Sequence, residues 1–99
     1  MLSSKQRAYL RGLAAKEASI LHIGKAGLTP EFTEAANEAL EARELIKIDV
    51  LNNSGEDVRE TAAIVSERTR SDIVQIIGSK FVLFRQNKNK PGINVSAIK

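Results

Sequence analysis

The sequence contains no cysteine and no tryptophan, and its aromatic residues are one tyrosine and three phenylalanines. The absence of cysteine excludes disulfide frameworks, thiolate chemistry and zinc sites with cysteine ligands. No apolar run approaches the ~20 residues that a membrane-spanning helix needs. The first residues, MLSSKQRAYLRGLA, also lack the apolar core of a signal peptide. We therefore expect a cytoplasmic protein that does not enter a membrane.

What the sequence does have is the composition of an ordinary globular protein, with 42% hydrophobic and 27% charged residues in a chain of 99. This length supports one domain with a modest core. We assign that domain to residues 1–86 and expect it to be a monomer. The last residues, NKNKPGINVSAIK, are polar, basic and interrupted by Pro-Gly. Residues 87–99 are therefore predicted to form a mobile basic tail.

The net charge of +3 is distributed unevenly along the chain. Residues 1–29 hold five basic residues against one acidic residue, and residues 70–99 hold six against one. Residues 30–69 hold four basic residues against ten acidic ones. We expect the two basic ends to meet in the folded chain, so that one face attracts a polyanion and the other repels it.

Three segments have the residue spacing and the capping residues of helices. Ser3 precedes Gln6 with the spacing of a capping box, which predicts a helix over residues 4–15. Thr29, followed by a proline, has the pattern of an N-cap at the start of TPEFTEAANEALEAR. Ser54 is predicted to be the N-cap of the third helix.

Four further segments predict β-strands: SILHI, ELIKIDVL, DIVQIIG and KFVLFRQ. The last two are joined by Gly-Ser, which is typical of a hairpin turn. The element order is α-β-α-β-α-β-β. It predicts a two-layer α+β domain with a four-stranded mixed sheet and right-handed crossovers.

The stretch LHIGKAGLT (residues 21–29) places two glycines and a lysine between a predicted strand and a predicted helix. A P-loop requires Ser or Thr after the lysine and a dinucleotide fingerprint requires a third glycine, so neither motif is present. A G-x-x-G turn before a helix can expose backbone N–H groups, and Lys25 would add a full positive charge beside them. K-homology modules clamp a nucleic-acid backbone with a loop of this kind.

Two interpretations of this loop remain open. Gly24 and Gly27 either only shape a tight turn, with Lys25 as a solubilising charge, or they let a phosphodiester backbone approach the main chain. A bare G-x-x-G pattern occurs often by chance, which favours the first interpretation. The position of the loop in a strongly basic segment favours the second.

No other residues make a convincing chemical site, and we predict no catalytic residue, metal or cofactor. His22 is the single histidine and has no evident partner for a catalytic relay. The glutamates of the second helix are expected on its solvated face rather than around a metal ion. Tyr9 is open to base stacking or to packing at the core edge. Phe81 and Phe84 fall on opposite faces of the last strand, so at most one is expected to be exposed.

Four stretches resemble the CRM domain family (chloroplast RNA splicing and ribosome maturation), and in particular its single-domain bacterial YhbY-like members. They are LSSKQRAYLRGLA, LHIGKAGLT, ELIKIDV and VQIIGSKFVLFRQ, which together extend over residues 2–86. The resemblance implies a fold like the C-terminal domain of bacterial translation initiation factor three. It also implies a non-enzymatic protein that binds ribosomal RNA in precursors of the large (50S) subunit and assists ribosome assembly.

The resemblance assigns RNA binding to the G-x-x-G loop and the basic surface around it. The residues concerned are Gly24, Lys25, Ala26 and Gly27 of the loop, with Lys5, Arg7, Arg11, Lys80 and Arg85. Two positions depart from the family pattern, since Arg70 replaces a frequent glycine after the third helix and Phe84 a frequent tyrosine. The alternative function is a protein-interaction domain that docks its acidic second helix on a basic ribosomal protein.

Overall fold

In the computed structural model, three helices and one four-stranded sheet form an α+β domain, as predicted. The structure describes residues 2–87, 92, 93 and 95. The elements are α1 (Ser4–Ala14), β1 (Leu21–Ile23), α2 (Pro30–Arg43), β2 (Leu45–Val50), α3 (Val58–Thr69), β3 (Asp72–Ile77) and β4 (Lys80–Phe84). A short 3₁₀ helix over Asn52–Ser54 precedes α3.

The sheet is mixed, with the strand order β1-β2-β4-β3. β1 and β2 are parallel, whereas β4 is antiparallel to both of its neighbours, β2 and β3. β1, β2 and β3 therefore run in one direction, and β4 is inserted between the last two of them. The likeness to the C-terminal domain of initiation factor three stays a prediction.

Helices cover both faces of the sheet, because alternate strand residues enter two separate cores. On one face, α2 and α3 pack on strand residues that include Ile48 and Phe81. On the other, α1 and Val95 pack on residues that include Val82 and Phe84. The domain thus has three layers where the sequence predicted two, because helical periodicity shows which side of a helix is buried but not which sheet face it covers. Both phenylalanines of β4 are buried, so neither is exposed for stacking.

The common direction of three strands gives the sheet two different ends. At the first, which we call the loop end, these strands finish and α2 and α3 begin. The β3–β4 turn is joined to this end, since the N–H of Val50 donates to the carbonyl of Ser79 (2.7 Å). At the second, which we call the far end, β4, α2 and α3 finish. There the N–H of Arg85 donates to the carbonyl of Glu44 (2.8 Å).

The third helix begins later than predicted. Its N-cap is Asp57, whose carboxylate accepts from the N–H of Glu60 (3.0 Å). Ser54 instead belongs to the 3₁₀ helix, and its hydroxyl accepts from the N–H of Glu56 (3.1 Å). Both residue types cap helices well, but Gly55 has φ 73°. A left-handed residue cannot lie within an α-helix, so α3 starts after it.

Most of the segment predicted as a mobile tail lies outside the described residues. The described part contacts the domain. Glu44 has φ 67° and is 5% exposed. Its carboxylate accepts from the N–H groups of Asn87 (2.6 Å), Gly92 (2.8 Å) and Ile93 (2.7 Å). At these points the segment is held on the domain by a buried acid that follows α2.

Candidate nucleic-acid interface

The G-x-x-G motif forms a tight turn between β1 and α2. The N–H of Gly27 donates to the carbonyl of Gly24 (2.9 Å), and the intervening Lys25 and Ala26 are both exposed. Gly27 has φ 71°, a conformation that favours glycine. Gly24 does not have a positive φ, and a Cβ there would make an ordinary contact of 3.7 Å with Leu51. The turn therefore explains one of the two glycines and leaves Gly24 without a conformational reason.

The turn leads directly into the N-terminus of α2. Thr29 is the N-cap, as predicted, and its hydroxyl accepts from the N–H of Phe32 (3.1 Å). Pro30 occupies the first turn and has no N–H of its own. The N-terminal end of a helix carries partial positive charge. The exposed Lys25 and the start of α2 therefore both attract an approaching anion.

An acidic side chain from the connection between β2 and α3 lies on this turn. The carboxylate of Glu56 accepts from the N–H of Leu28 (3.2 Å). A Cβ added to Gly27 would lie 2.7 Å from Glu56 Oε1. The carboxylate of Glu56 thus already accepts a hydrogen bond from the backbone of the loop. A phosphate that binds the N–H of Leu28 must displace it.

Lys80 lies at the same end of the molecule as the loop. It is exposed and begins β4 directly after the Gly78–Ser79 turn. Its register partner is Asp49, which is itself paired with His22 of β1. Since neighbouring strands lie ~4.8 Å apart, the backbone of Lys80 is about 10 Å from that of His22, which lies just before the loop. Lys80 lies at the same end of the sheet as the loop, on the face of Val82, which packs against α1.

Arg85 lies at the far end and is engaged by the protein. Its guanidinium donates to the carbonyls of Thr69 (2.8 Å) and Asn37 (3.0 Å), and to the side-chain oxygen of Asn37. It also forms an ion pair with Glu41 (3.1 Å). The side chain of Arg85 is only 22% exposed. These contacts join α2 and α3 to the end of β4, which gives Arg85 a structural role that the sequence did not indicate.

The basic residues of α1 lie on the sheet face that is opposite α2 and α3. Arg7 is half-buried, and its Nε donates to the carbonyl of Ile73 (3.4 Å) near the start of β3. Lys5 and Arg11 are exposed on the same helix. The predicted cations therefore do not form one cluster. Two lysines share the loop end, one arginine is bound at the far end, and α1 carries the rest.

Comparison with known proteins places the chain in a family. The sequence model of the CRS1 / YhbY (CRM) domain matches residues 2–85. The chain belongs to the CRM domain family. The probable RNA-binding protein YqeI of Bacillus subtilis is 39% identical over 95 residues, covering 96% of this chain and 99% of its own. An RNA-binding protein of Haemophilus influenzae is 32% identical over 88% of each chain.

A solved structure supports the same assignment. The solution structure of a hypothetical Staphylococcus aureus protein, described as a candidate RNA-binding protein, has a TM-score of 0.79 and 44% identity. The match covers 95% of this chain and 98% of that one. At this identity and TM-score, the two proteins share one fold.

Within this CRM domain, sequence analysis missed the acid that contacts the loop. Glu56 follows a turn and precedes a helix, and nothing in its local pattern differs from a solvated acid. Only the parallel pairing of β1 with β2 brings it to Gly27. Among the described residues, no group of three His, Asp or Glu side chains could hold a metal ion. None of the described helices is long and apolar enough to span a membrane.

Proposed function

We propose that this protein binds RNA through the sugar–phosphate backbone, and that the contact is made at the loop end. The supporting observation is the exposed Gly24–Gly27 turn, which carries Lys25 and precedes the N-terminus of α2. Relatives and a solved structure named for RNA binding support the class of ligand. Phosphate contacts position an RNA without reading its sequence, so recognition follows the shape of a folded RNA.

The finer proposal is a non-enzymatic, monomeric, cytoplasmic protein that binds ribosomal RNA in 50S precursors and assists their assembly. It rests on the sequence resemblance to CRM proteins of ribosome maturation. Sedimentation of a cell extract, with detection of this chain across the gradient, tests it. We expect the protein in the fractions of large-subunit precursors, and its absence from all ribosomal fractions would contradict the proposal.

The experiment for RNA binding itself is a salt titration with a matched pair of variants. The ligand is a labelled RNA hairpin with single-stranded flanks. The logarithm of its binding constant should fall by about 0.7–0.9 per neutralised phosphate for each tenfold rise in salt. Lys25→Glu should weaken binding at least fivefold, whereas Lys16→Glu, an exposed lysine after α1, should change it less than twofold. An affinity that does not depend on salt would contradict the proposal.

The acidic face of α2 supports the alternative function. Glu31, Glu34 and Glu38 are exposed along this helix, where they would repel RNA and attract a basic protein. Replacing these three glutamates by glutamine separates the two functions. If RNA affinity is retained while association with ribosomal particles is lost, the acidic face is a protein-docking surface. Retention of both would exclude it.

A further inference from the structure

A large hollow opens at the far end, away from the G-x-x-G turn. Its volume is about 540 Å³, and it lies between the ends of α2 and α3 and the segment that follows β4. Three arginines line it, together with one acid and several amide side chains: Arg68, Arg70, Arg85, Glu41, Asn37 and Gln86. We propose that this hollow is a second phosphate-binding site, which holds the backbone of a separate RNA segment. The inference rests on the proposed function and extends it.

The charges in the hollow do not cancel. Among the described residues, the single ion pair joins Arg85 to Glu41, so the one lining acid is already used. Arg68 and Arg70 are both exposed. They contribute two positive charges that have no acidic partner in the described part of the chain. A ligand with closely spaced negative charges would neutralise these two positive charges.

The backbone at Arg70 gives an independent reason to assign a function to this residue. Arg70 is the C-cap of α3 and has φ 55° and ψ 45°, in the left-handed region. Glycine adopts this conformation after a helix without steric cost, whereas a residue with a Cβ is strained. A positive charge near the end of a helix is favourable, but Arg68 in the last turn already provides one. The left-handed backbone belongs to the termination of α3, since the N–H of Ser71 donates to the carbonyl of Ser66 (2.9 Å). Local structure does not, however, require an arginine there in place of glycine, and strained residues of this kind are typical of functional positions.

The chemistry of the hollow fits phosphate groups. Guanidinium groups bind phosphate oxygens through paired N–H donors. These charge-assisted hydrogen bonds are stronger than hydrogen bonds between neutral groups. The side chain of Asn37 lines the same hollow; its oxygen accepts from Arg85, and its NH2 group is a further donor. Arg85 is held in place by its contacts with Thr69 and Asn37, so this part of the wall is positioned before any ligand arrives.

The second site should take an RNA segment different from the one at the loop. The two ends are separated by α3, whose 12 residues span roughly 18 Å. The exposed glutamates Glu31, Glu34 and Glu38 lie on α2, which runs beside α3 between the two ends. They repel a strand laid along this face. The protein would then hold two segments of a folded RNA at a fixed separation.

Arg70→Gly is the decisive variant, because it removes the charge and relieves the strain. We expect a melting temperature a few degrees higher, together with RNA binding three- to tenfold weaker for the labelled hairpin with flanks. The slope of the salt dependence should decrease by about 0.7–0.9 for the lost phosphate contact. Arg68→Gln should give the same loss of affinity and slope. Arg43→Gln is the matched control, since Arg43 is exposed in the last turn of α2 but does not line the hollow.

The outcomes separate this inference from the proposed function. If Arg70→Gly and Arg68→Gln bind RNA like the wild type while Lys25→Glu binds weakly, the second site is excluded and the loop site stands. If Arg43→Gln weakens binding as much as Arg68→Gln, the effect is one of general charge and the second site is also excluded. If the hollow variants weaken binding and Lys25→Glu does not, the loop proposal fails and the hollow is retained.

Discussion

The two ends of the sheet contain similar charged groups that are used in different ways. At the far end, Arg85 reaches two backbone carbonyls and Glu41, and the carboxylate of Glu44 takes three backbone N–H groups. At the loop end, Lys25 and Lys80 are exposed and form no ion pair among the described residues, although Asp49 is the cross-strand neighbour of Lys80. Arg85 and Glu44 hold the far end together beside the exposed Arg68 and Arg70, whereas both lysines of the loop end are exposed and neither holds the fold together.

This difference shows why a count of basic residues does not locate a binding surface. Lys80 and Arg85 lie five positions apart in the same basic segment, yet one begins β4 and the other follows its end. A strand of this length places them roughly 16 Å apart. Burial and hydrogen-bond partners, and not the sum of charge, therefore distinguish a structural cation from one that is available to a ligand.

The largest expected effect on stability is that of Arg85→Ala. The substitution leaves the carbonyl of Thr69 and two groups of Asn37 without their charged donor. Hydrogen bonds to charged groups contribute ~1.5–3 kcal/mol, and the ion pair with the exposed Glu41 adds little. We expect unfolding free energy to fall by about 2–3 kcal/mol in urea denaturation.

The control for this prediction is Arg43→Ala, which removes an exposed arginine from the same end of the molecule. It should lower the unfolding free energy by less than about 0.5 kcal/mol. If Arg85→Ala has an equally small effect on stability but weakens RNA binding, the role of Arg85 is in binding, as the sequence resemblance implied. The far end would then resemble the loop end in its use of charge.

The two glycines of the loop provide a comparison within a single turn. Gly27→Ala places a Cβ at φ 71° and 2.7 Å from Glu56, so we expect a loss of about 1–2 kcal/mol in unfolding free energy. Gly24→Ala meets only an ordinary contact with Leu51 and should leave stability within about 0.5 kcal/mol of the wild type. If RNA backbone approaches the turn closely, Gly24→Ala should nevertheless weaken RNA binding several-fold.

Gly12→Ala is the matched control for this pair. Gly12 lies within α1, and a Cβ there has no neighbour within 4 Å. Alanine should stabilise the helix by roughly 0.5–1 kcal/mol and leave RNA affinity unchanged. Gly24→Ala with unchanged affinity would favour the interpretation in which both glycines only shape the turn.

Local chemistry was predictable from the sequence, and contacts between distant segments were not. The capping box of Ser3 and Gln6 and the N-cap Thr29 are confirmed, because each depends on residues within one helical turn. The N-cap at Ser54 was wrong, since the left-handed Gly55 that follows it delays the helix. The strand order and the face covered by α1 depend on long-range packing, for which the pattern of a single segment holds no information.

The same limit applies to the site. The turn at Gly24–Gly27 was predicted because glycine and lysine have local meaning between a strand and a helix. The binding roles assigned to the basic residues by resemblance stay predictions. The partners of Arg85 could not be predicted, because Asn37, Glu41 and Thr69 come from two other elements. Charge runs indicate that a surface is basic, but only the fold decides which cations remain on it.

The smallest expected effect concerns Glu56, the acid that makes the loop end less positive. Its carboxylate accepts from Leu28 N–H and lies where a phosphate would approach the turn. Glu56→Gln retains an oxygen that can accept this bond and removes the negative charge. Interactions between exposed charges amount to ~0.2–1 kcal/mol, so RNA affinity should rise about two- to fivefold at low salt. The gain should shrink as salt screens the charge.

Glu60→Gln is the control, because Glu60 is an exposed acid in the first turn of α3, and its backbone N–H donates to Asp57 rather than its carboxylate accepting from the loop. It should raise affinity less than Glu56→Gln does. Equal gains would mean that RNA responds only to net charge and does not approach the N–H of Leu28. A loss of affinity with Glu56→Gln would mean that the carboxylate is needed to hold the turn in its binding conformation, and the loop end would then depend on an internal ion contact as the far end does.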